Sequence, residues 1–461
     1  MDRLAEADRR WAGMTARFVP EDEIPPGDET DRLHRWGYRR YREMFNPRQS
    51  IALEAACRII DGTADERIRD ALATNLSDLL RYQNMLCRYD AAVLKSLDIF
   101  SVHGFPVGLI QCESNMLGIR GLTGKPVGSG GWLNIIEKTI LAKAFCQTPF
   151  EYRINGRKKI RVDLPDEWIG DRREDLFGTS RRGVDLHCGD AVELDLPAES
   201  LDAVLTDPPY FGNVQYAELM DFCYVWLRKL VGETLPTFSV PSTRNAGELT
   251  GNVSMKRDLA HFAGGLSRVF SRMAVALKPG APLAFTYHHN RLDAYLPVAV
   301  AVLDAGLTVS AALHCPGEMG ASIHISGTGS SIIDTIFVCR TEGRIPRKWI
   351  VETPAGVDRL VRADVRSLAA GGVRPTAGDL RCIGYGHLIR LAVWFLRGDW
   401  RRETAIAEKL DRVRAWLEGF GNPLSVQPKA SLQWLDDLEG NEVKENIMDF
   451  GAESDIDIIS F

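Results

Sequence analysis

Apolar residues recur at helical spacing over residues 48–60 and again over 64–88, which predicts two amphipathic helices. A third helix is predicted over 132–145, after Gly-rich turns such as Gly128-Ser129-Gly130-Gly131. From Gly183 onward the rhythm changes. Short apolar runs of strand length alternate with longer stretches of helical period. Strands are predicted over 184–188, 201–206, 282–287, 307–314 and 332–339, and helices over 216–231, 255–277 and 292–305. Lys278-Pro279-Gly280 stops the long helix, because proline and glycine do not continue one. Helical pattern returns over 380–420. Strands alternating with helices and closing on a late strand pair predict an α/β sheet with helical additions at both ends.

These shifts divide the chain into five stretches. Residues 1–37 are polar, pass through Pro25-Pro26-Gly27-Asp28 and read as an N-terminal arm. Residues 38–182 form a helical and irregular region. Its basic segment carries Arg153, Arg157, Lys158, Lys159, Arg161, Arg172, Arg173, Arg181 and Arg182. Residues 183–345 hold the α/β core and 346–435 a C-terminal helical region. Residues 436–461 read as a loose acidic tail. No internal repeat is present.

Composition narrows the class. Charged residues are 26% and hydrophobic residues 45% of the 461, ordinary globular values that exclude a mainly disordered chain. The nine cysteines show no CxxC spacing, which disfavours zinc and dithiol chemistry, and their odd number points to free thiols in a reducing cytoplasm. No apolar run reaches membrane-spanning length, and no leader pattern opens the chain. The expectation is a cytoplasmic protein with no membrane contact and no metal. The net charge of −6 does not favour nucleic acid, but a local basic stripe is what binds phosphate.

The chemistry concentrates in Asp207-Pro208-Pro209-Tyr210, directly after the apolar run at 201–206. Open α/β sheets bind ligands at the C-terminal ends of their strands. The two prolines fix φ and remove two backbone donors. What remains is a stiff loop offering carbonyls, one carboxylate and one aromatic ring. That set suits a planar amine. Asp207 and the Pro208 carbonyl accept its hydrogens and Tyr210 stacks on its ring, for about 1–3 kcal/mol. A duplex base must first flip out to arrive there. One strand upstream, Gly189 and Asp190 occupy the place where an acid accepts from a cofactor's adenine amine. The alternative is an ordinary turn, since Gly-Asp is a common turn dipeptide. Phe211, Asn213 and Tyr216 follow the loop closely enough to touch the target, and Arg157, Lys158 and Lys159 are either phosphate contacts or part of a solvated basic face. Glu218 and Asp221 either cap and pair structurally or narrow the pocket. His288 and His289 border the loop, and Glu318 lies on a later loop. The His288-His289 pair lacks partners for a metal.

Residues 201–227, Leu-Asp-Ala-Val-Leu-Thr-Asp-Pro-Pro-Tyr-Phe-Gly-Asn-Val-Gln-Tyr-Ala-Glu-Leu-Met-Asp-Phe-Cys-Tyr-Val-Trp-Leu, resemble a bacterial and archaeal family of adenine-specific DNA methylases. Further matching blocks are Met44-Phe45-Asn46-Pro47-Arg48-Gln49, residues 84–90, Gly128-Ser129-Gly130-Gly131-Trp132, Leu277-Lys278-Pro279-Gly280 and Pro316-Gly317-Glu318. The resemblance runs over about residues 38–345. It implies a Rossmann-like S-adenosylmethionine-dependent methyltransferase sheet. It also implies that Asp207, Pro208 and Tyr210 line the target-amine pocket, and that Asp190 lines the cofactor site.

One departure stands out. The family carries an Asp-Pro-Phe-x-Gly-x-Gly loop well upstream, where glycines let the cofactor approach the backbone. Nothing ahead of Asn46-Pro47 matches it. Gly128-Ser129-Gly130-Gly131 follows no convincing strand, and Gly327-Thr328-Gly329 comes too late in the sheet. The expected sheet is therefore incomplete at its first strands. A second polypeptide that supplies the glycine loop, or a non-catalytic nucleic-acid-binding or scaffold subunit, would each account for this. Adenine N6 on DNA is the preferred target, with an RNA methyltransferase as the other enzymatic reading.

Overall fold

The computed structural model describes residues 2–91, 94–107, 111–155, 158–164, 185–317, 331–373, 375–420 and 458–461. The chain divides into two compact units. One comprises residues 1–189 and 215–248, the other residues 190–214 and 249–461. The division cuts through the predicted core. The loop with Asp207 belongs to the second unit and the helix that follows it to the first.

The first unit is built on helices α1 (Asp2–Ala12), α2 (Thr30–Arg35), α3 (Pro47–Asp61), α4 (Glu66–Tyr82), α5 (Trp132–Gln147) and α6 (Tyr216–Val231). Local sequence sets their ends. Asn46 and Gln49 form a reciprocal capping box at the start of α3, with Pro47 in the first turn. Asp65 caps α4 by accepting from the Ile68 N–H. The core is aromatic: Phe222 of α6 stacks on Phe45 at 5.6 Å, and Trp226 meets Phe45 edge-on at 5.1 Å. Phe222 and Trp226 are fully buried and Tyr224 nearly so, so these rings serve packing.

Glu218 and Asp221 resolve to the structural alternative. The Glu218 carboxylate accepts from the backbone N–H groups of Asp28, Glu29 and Thr30 at 3.0, 2.8 and 3.1 Å. The wrap is close enough that a Cβ on Gly27 would sit 2.4 Å from that carboxyl carbon, so glycine is required there. Asp221 accepts from the Thr243 N–H, the hydroxyls of Ser242 and Thr243, and Arg244 Nε. The segment read as an arm is therefore tied down. Its Phe18 and Val19 amides donate to the buried Glu54, and α1 packs on α3.

The second unit holds a four-stranded sheet of β3 (Val204–Thr206), β4 (Leu283–Tyr287), β5 (Thr308–Pro316) and β6 (Ile333–Arg340), in the order β3-β4-β6-β5. β3 and β4 are parallel, and β6 runs antiparallel to both of its neighbours. Helices α7 (Leu259–Ala276), α8 (Leu296–Asp304), α9 (Pro354–Ala370), α10 (Ala377–Leu396) and α11 (Ile406–Phe420) complete it. α7 packs on α8, and α10 lies along β5 and β6. Phe285 stacks on Phe337 at 5.3 Å and meets the tilted ring of Phe270 at 4.9 Å. Burying such a ring contributes about 2–3 kcal/mol. The α/β class is as expected, and β4, β5, β6 and α6 fall close to their predicted spans.

Four expectations are corrected. The run 201–206 was expected as a buried strand, but β3 is short and lies at the sheet edge. Val204 is buried while Leu205 is 78% exposed, because β3 has a strand on one side only among the described residues. The strand over 184–188 is absent from its described part. Residues 185–188 are irregular and exposed, and no strand pairs with them among the described residues. The helix expected from Met255 begins at Leu259, because Asp258 accepts from the His261 N–H and caps it there. The tail is anchored at its end: β8 (Ile458–Ser460) pairs with β7 (Arg344–Pro346), and Phe461 meets Trp394 edge-on. The hairpin of β1 (Phe150–Asn155) and β2 (Lys158–Asp163) was not anticipated, and α9 lies in the region read as helical without having been placed as a helix of its own.

Candidate target-amine pocket

Asp207 follows the last residue of β3, so its side chain stands where the strand gives way to the loop. The parallel register pairs Thr206 with Phe285, which sets Thr286 of β4 beside Asp207. The Thr286 hydroxyl donates to Asp207 Oδ1. The Tyr210 hydroxyl donates to the same oxygen at 2.9 Å. Two donors on one oxygen fix the carboxylate's rotation. Among the described residues Oδ2 has no partner, and Asp207 is exposed. Pro208 is buried and Pro209 half-buried beneath it.

Tyr210 is half-buried, its ring 5.2 Å from that of Tyr287 at 60°. Burial raises its phenol pKa well above the usual value, so it stays a donor to Asp207 at neutral pH. Tyr287 is fully buried. Its hydroxyl donates to the Ala294 carbonyl at 2.7 Å and accepts from the Phe211 N–H at 3.4 Å. The loop is thus pinned at both ends to β4 and the segment after it.

Asn213 is exposed beside the loop. Its N–H donates to the Tyr210 carbonyl at 3.3 Å, and its Nδ2 donates to the His288 carbonyl at 3.4 Å. His288 borders the loop as expected, its ring Nδ1 3.0 Å from the Ile333 carbonyl. Burial lowers the His289 pKa, and its Nδ1 accepts from the Arg291 N–H. Phe211 packs on Phe262 at 5.5 Å, and a Cβ on Gly251 would collide with its ring. Phe211 is therefore a packing residue of the loop rather than an open contact.

The remaining candidates lie in the first unit, in irregular chain or outside the described residues. Tyr216 is exposed at the start of α6, in the first unit. Lys158 and Lys159 are exposed on β2, with Lys159 above the Tyr152 ring. Arg161 is engaged with Asp163 and with the face of Phe150. Arg157, Arg172, Arg173, Arg181, Arg182, Glu318 and the run 327–329 lie outside the described residues. Gly189 and Asp190 are exposed in irregular chain, and Asp190 Oδ1 accepts from the Val192 N–H at 2.9 Å. That is a local turn, and among the described residues no strand leads into it.

Sequence reasoning missed Thr286 and Tyr287. The available signal was a hydroxyl at an alternating position of the strand next to the Asp207 strand. Comparison of the chain with protein-family models, with curated proteins and with solved structures finds no match.

Proposed function

We propose that this chain is the target-amine half of a split S-adenosylmethionine-dependent DNA amino-methyltransferase, with adenine N6 as the preferred acceptor. The observation that carries this reading is Asp207, with Oδ1 held by Thr286 and Tyr210 and Oδ2 open at the end of a parallel strand. An exocyclic amine is a poor nucleophile because its lone pair is delocalised into the base. Oδ2 accepts one of its hydrogens and the Pro208 carbonyl the other. Held so, the nitrogen shifts toward tetrahedral geometry, and its lone pair points away from the two acceptors. Positioning of this kind supplies several kcal/mol of a barrier.

The described residues do not form a cradle for the methyl donor. Gly189 and Asp190 are exposed and irregular, and no glycine loop sits at the end of a strand beside β3. No transfer step is therefore assigned to this chain alone. The donor site belongs to a partner polypeptide that adds to the open side of β3, where Leu205 is exposed. The parallel β3–β4 pair and the late antiparallel hairpin are in keeping with a Rossmann-like sheet lacking its first strands. The irregular residues 185–190 also favour a second reading, a non-catalytic nucleic-acid-binding subunit.

Methyl incorporation from labelled cofactor separates the two. The chain is assayed alone and with a candidate partner bearing the glycine loop, on unmethylated DNA and on RNA. Transfer to DNA by the pair only, lost by at least about a hundredfold in Asp207→Ala, is expected. No transfer in any combination overturns the enzymatic reading. Transfer to RNA alone overturns the DNA assignment. Tight cofactor binding by the isolated chain overturns the split.

A further inference from the structure

A second cluster of chemistry-bearing side chains lies in the second unit, apart from the Asp207 loop in sequence and built from other elements. His314 lies on β5, Asp364 on α9 and His387 on α10. His314 Nδ1 is 2.9 Å and His387 Nε2 2.7 Å from the same oxygen, Asp364 Oδ2. The three atoms lie within 4.8 Å of one another. The imidazole rings are 5.1 Å apart and inclined at 61°, so their nitrogens converge from different directions. The His314 and His387 side chains are 1% and 7% exposed, while that of Asp364 is 33% exposed. Two enclosed imidazoles and a partly exposed carboxylate thus bring three possible ligand atoms together.

We propose that His314, Asp364 and His387 bind a divalent transition-metal cation through two imidazole nitrogens and one carboxylate oxygen. Two histidines and one carboxylate suit zinc, cobalt or ferrous iron, with metal–nitrogen distances of about 2.0–2.2 Å. In the metal-free chain an ionised Asp364 only accepts, so both nearby nitrogens carry protons and donate to Oδ2. Ligation moves each proton to the other ring nitrogen. Those nitrogens, His314 Nε2 and His387 Nδ1, are buried and have no hydrogen-bond partner in the metal-free arrangement. For His314 an acceptor is at hand. The Thr335 hydroxyl is buried and unpartnered, and it lies with His314 Nε2 against Gly386, where a Cβ would approach both at 3.1 and 2.7 Å. An outer hydrogen bond of that kind orients a ligating histidine. Gly386 is what leaves the space.

One neighbour limits the affinity. Arg390, one turn beyond His387 on α10, is buried, donates to the Trp349 carbonyl at 2.8 Å and lies 5.9 Å from the Trp349 ring centre. Its charge opposes the cation.

The test uses the full chain, stripped of metal and titrated with Co²⁺, then with Zn²⁺. Expected are one saturable equivalent, visible cobalt bands of a low-coordinate site and a raised melting temperature. No cobalt–thiolate band should appear in the near ultraviolet. Asp364→Asn, nearly isosteric, should weaken binding at least about tenfold with unchanged circular dichroism. Should that variant misfold, Thr335→Val takes its place, with a smaller loss expected. Absence of saturable binding in the wild type overturns the site. So does a thiolate band, which assigns the metal to the free cysteines. Equal binding by wild type and a folded Asp364→Asn overturns it as well.

Discussion

Glu218 and Asp207 stand close together in sequence and share none of the properties that decide whether an acid can hold something new. Glu218 is buried, and its carboxylate is engaged by the amides of Asp28, Glu29 and Thr30. Asp207 is exposed and fixed through one oxygen only. Both were candidates on residue type. What separates them is the source of their donors. Backbone N–H groups from a distant segment are a structural claim on a carboxylate, because a buried amide must find an acceptor. Side-chain hydroxyls on one oxygen orient the group and leave the other oxygen available.

The sharpest way to break this comparison is Glu218→Ala. It strips the acceptor from three amides, that of Thr30 buried, and unfolding in urea should show a loss of about 3 kcal/mol. Asp207→Ala should cost under about 1 kcal/mol in the same measurement. If the two losses are alike, the distinction between structural and available acids fails.

Asp364 offers an intermediate case, a carboxylate held through Oδ2 by two titratable side chains. Burial pushes its pKa up, but the hydrogen bonds from His314 and His387 outweigh this and hold it well below the ordinary carboxylate range. Burial lowers His387 to about 4, against about 6.5 in the unfolded chain. The unfolded chain therefore binds that proton first. Stability of the metal-free chain is full above pH 6.5 and falls toward pH 4, by up to about 3 kcal/mol. Unfolding free energy measured across that window should show the slope, and His387→Gln should flatten it. A slope unchanged in His387→Gln removes the group from the account.

The smallest effect is expected from Thr286→Val. It removes one donor from Asp207 Oδ1 at a partly exposed site, for about 1 kcal/mol or less in stability. Methyl transfer by the assembled pair should fall about tenfold, since Asp207 is then positioned by Tyr210 alone. A full rate in Thr286→Val would mean that the carboxylate's orientation does not matter.

Most elements of the sheet unit were legible because its strands alternate buried and half-buried positions, as β4 and β6 do throughout. α6 was read to its ends because Tyr216 through Val231 keeps helical period without a breaker. α9 was not placed as a helix of its own, although its apolar positions Val357, Val361, Val365 and Leu368 recur at helical spacing, because Arg and Asp dominate the residues between. The hairpin of β1 and β2 hid behind its charges. Asp207 to Tyr210 could be found because four consecutive residues carry the chemistry. His314, Asp364 and His387 could not, since each is a lone polar residue and only packing of β5, α9 and α10 joins them. The irregular course of residues 185–188, inside an expected strand, has the opposite origin. Local sequence asks for a strand there, but a strand exists only beside another.

The edge at β3 carries a consequence for how the protein is produced. Leu205 is exposed on a strand that has a neighbour on one side only among the described residues, and none of the usual deterrents, a lysine, a proline or a bulge, lies within Val204–Thr206. Such an edge pairs with whatever strand it meets. If a second polypeptide is its intended neighbour, an excess of this chain over that neighbour would be hazardous to the cell. Balanced synthesis of the two, for instance from one messenger, would be under selection for solubility as well as for activity.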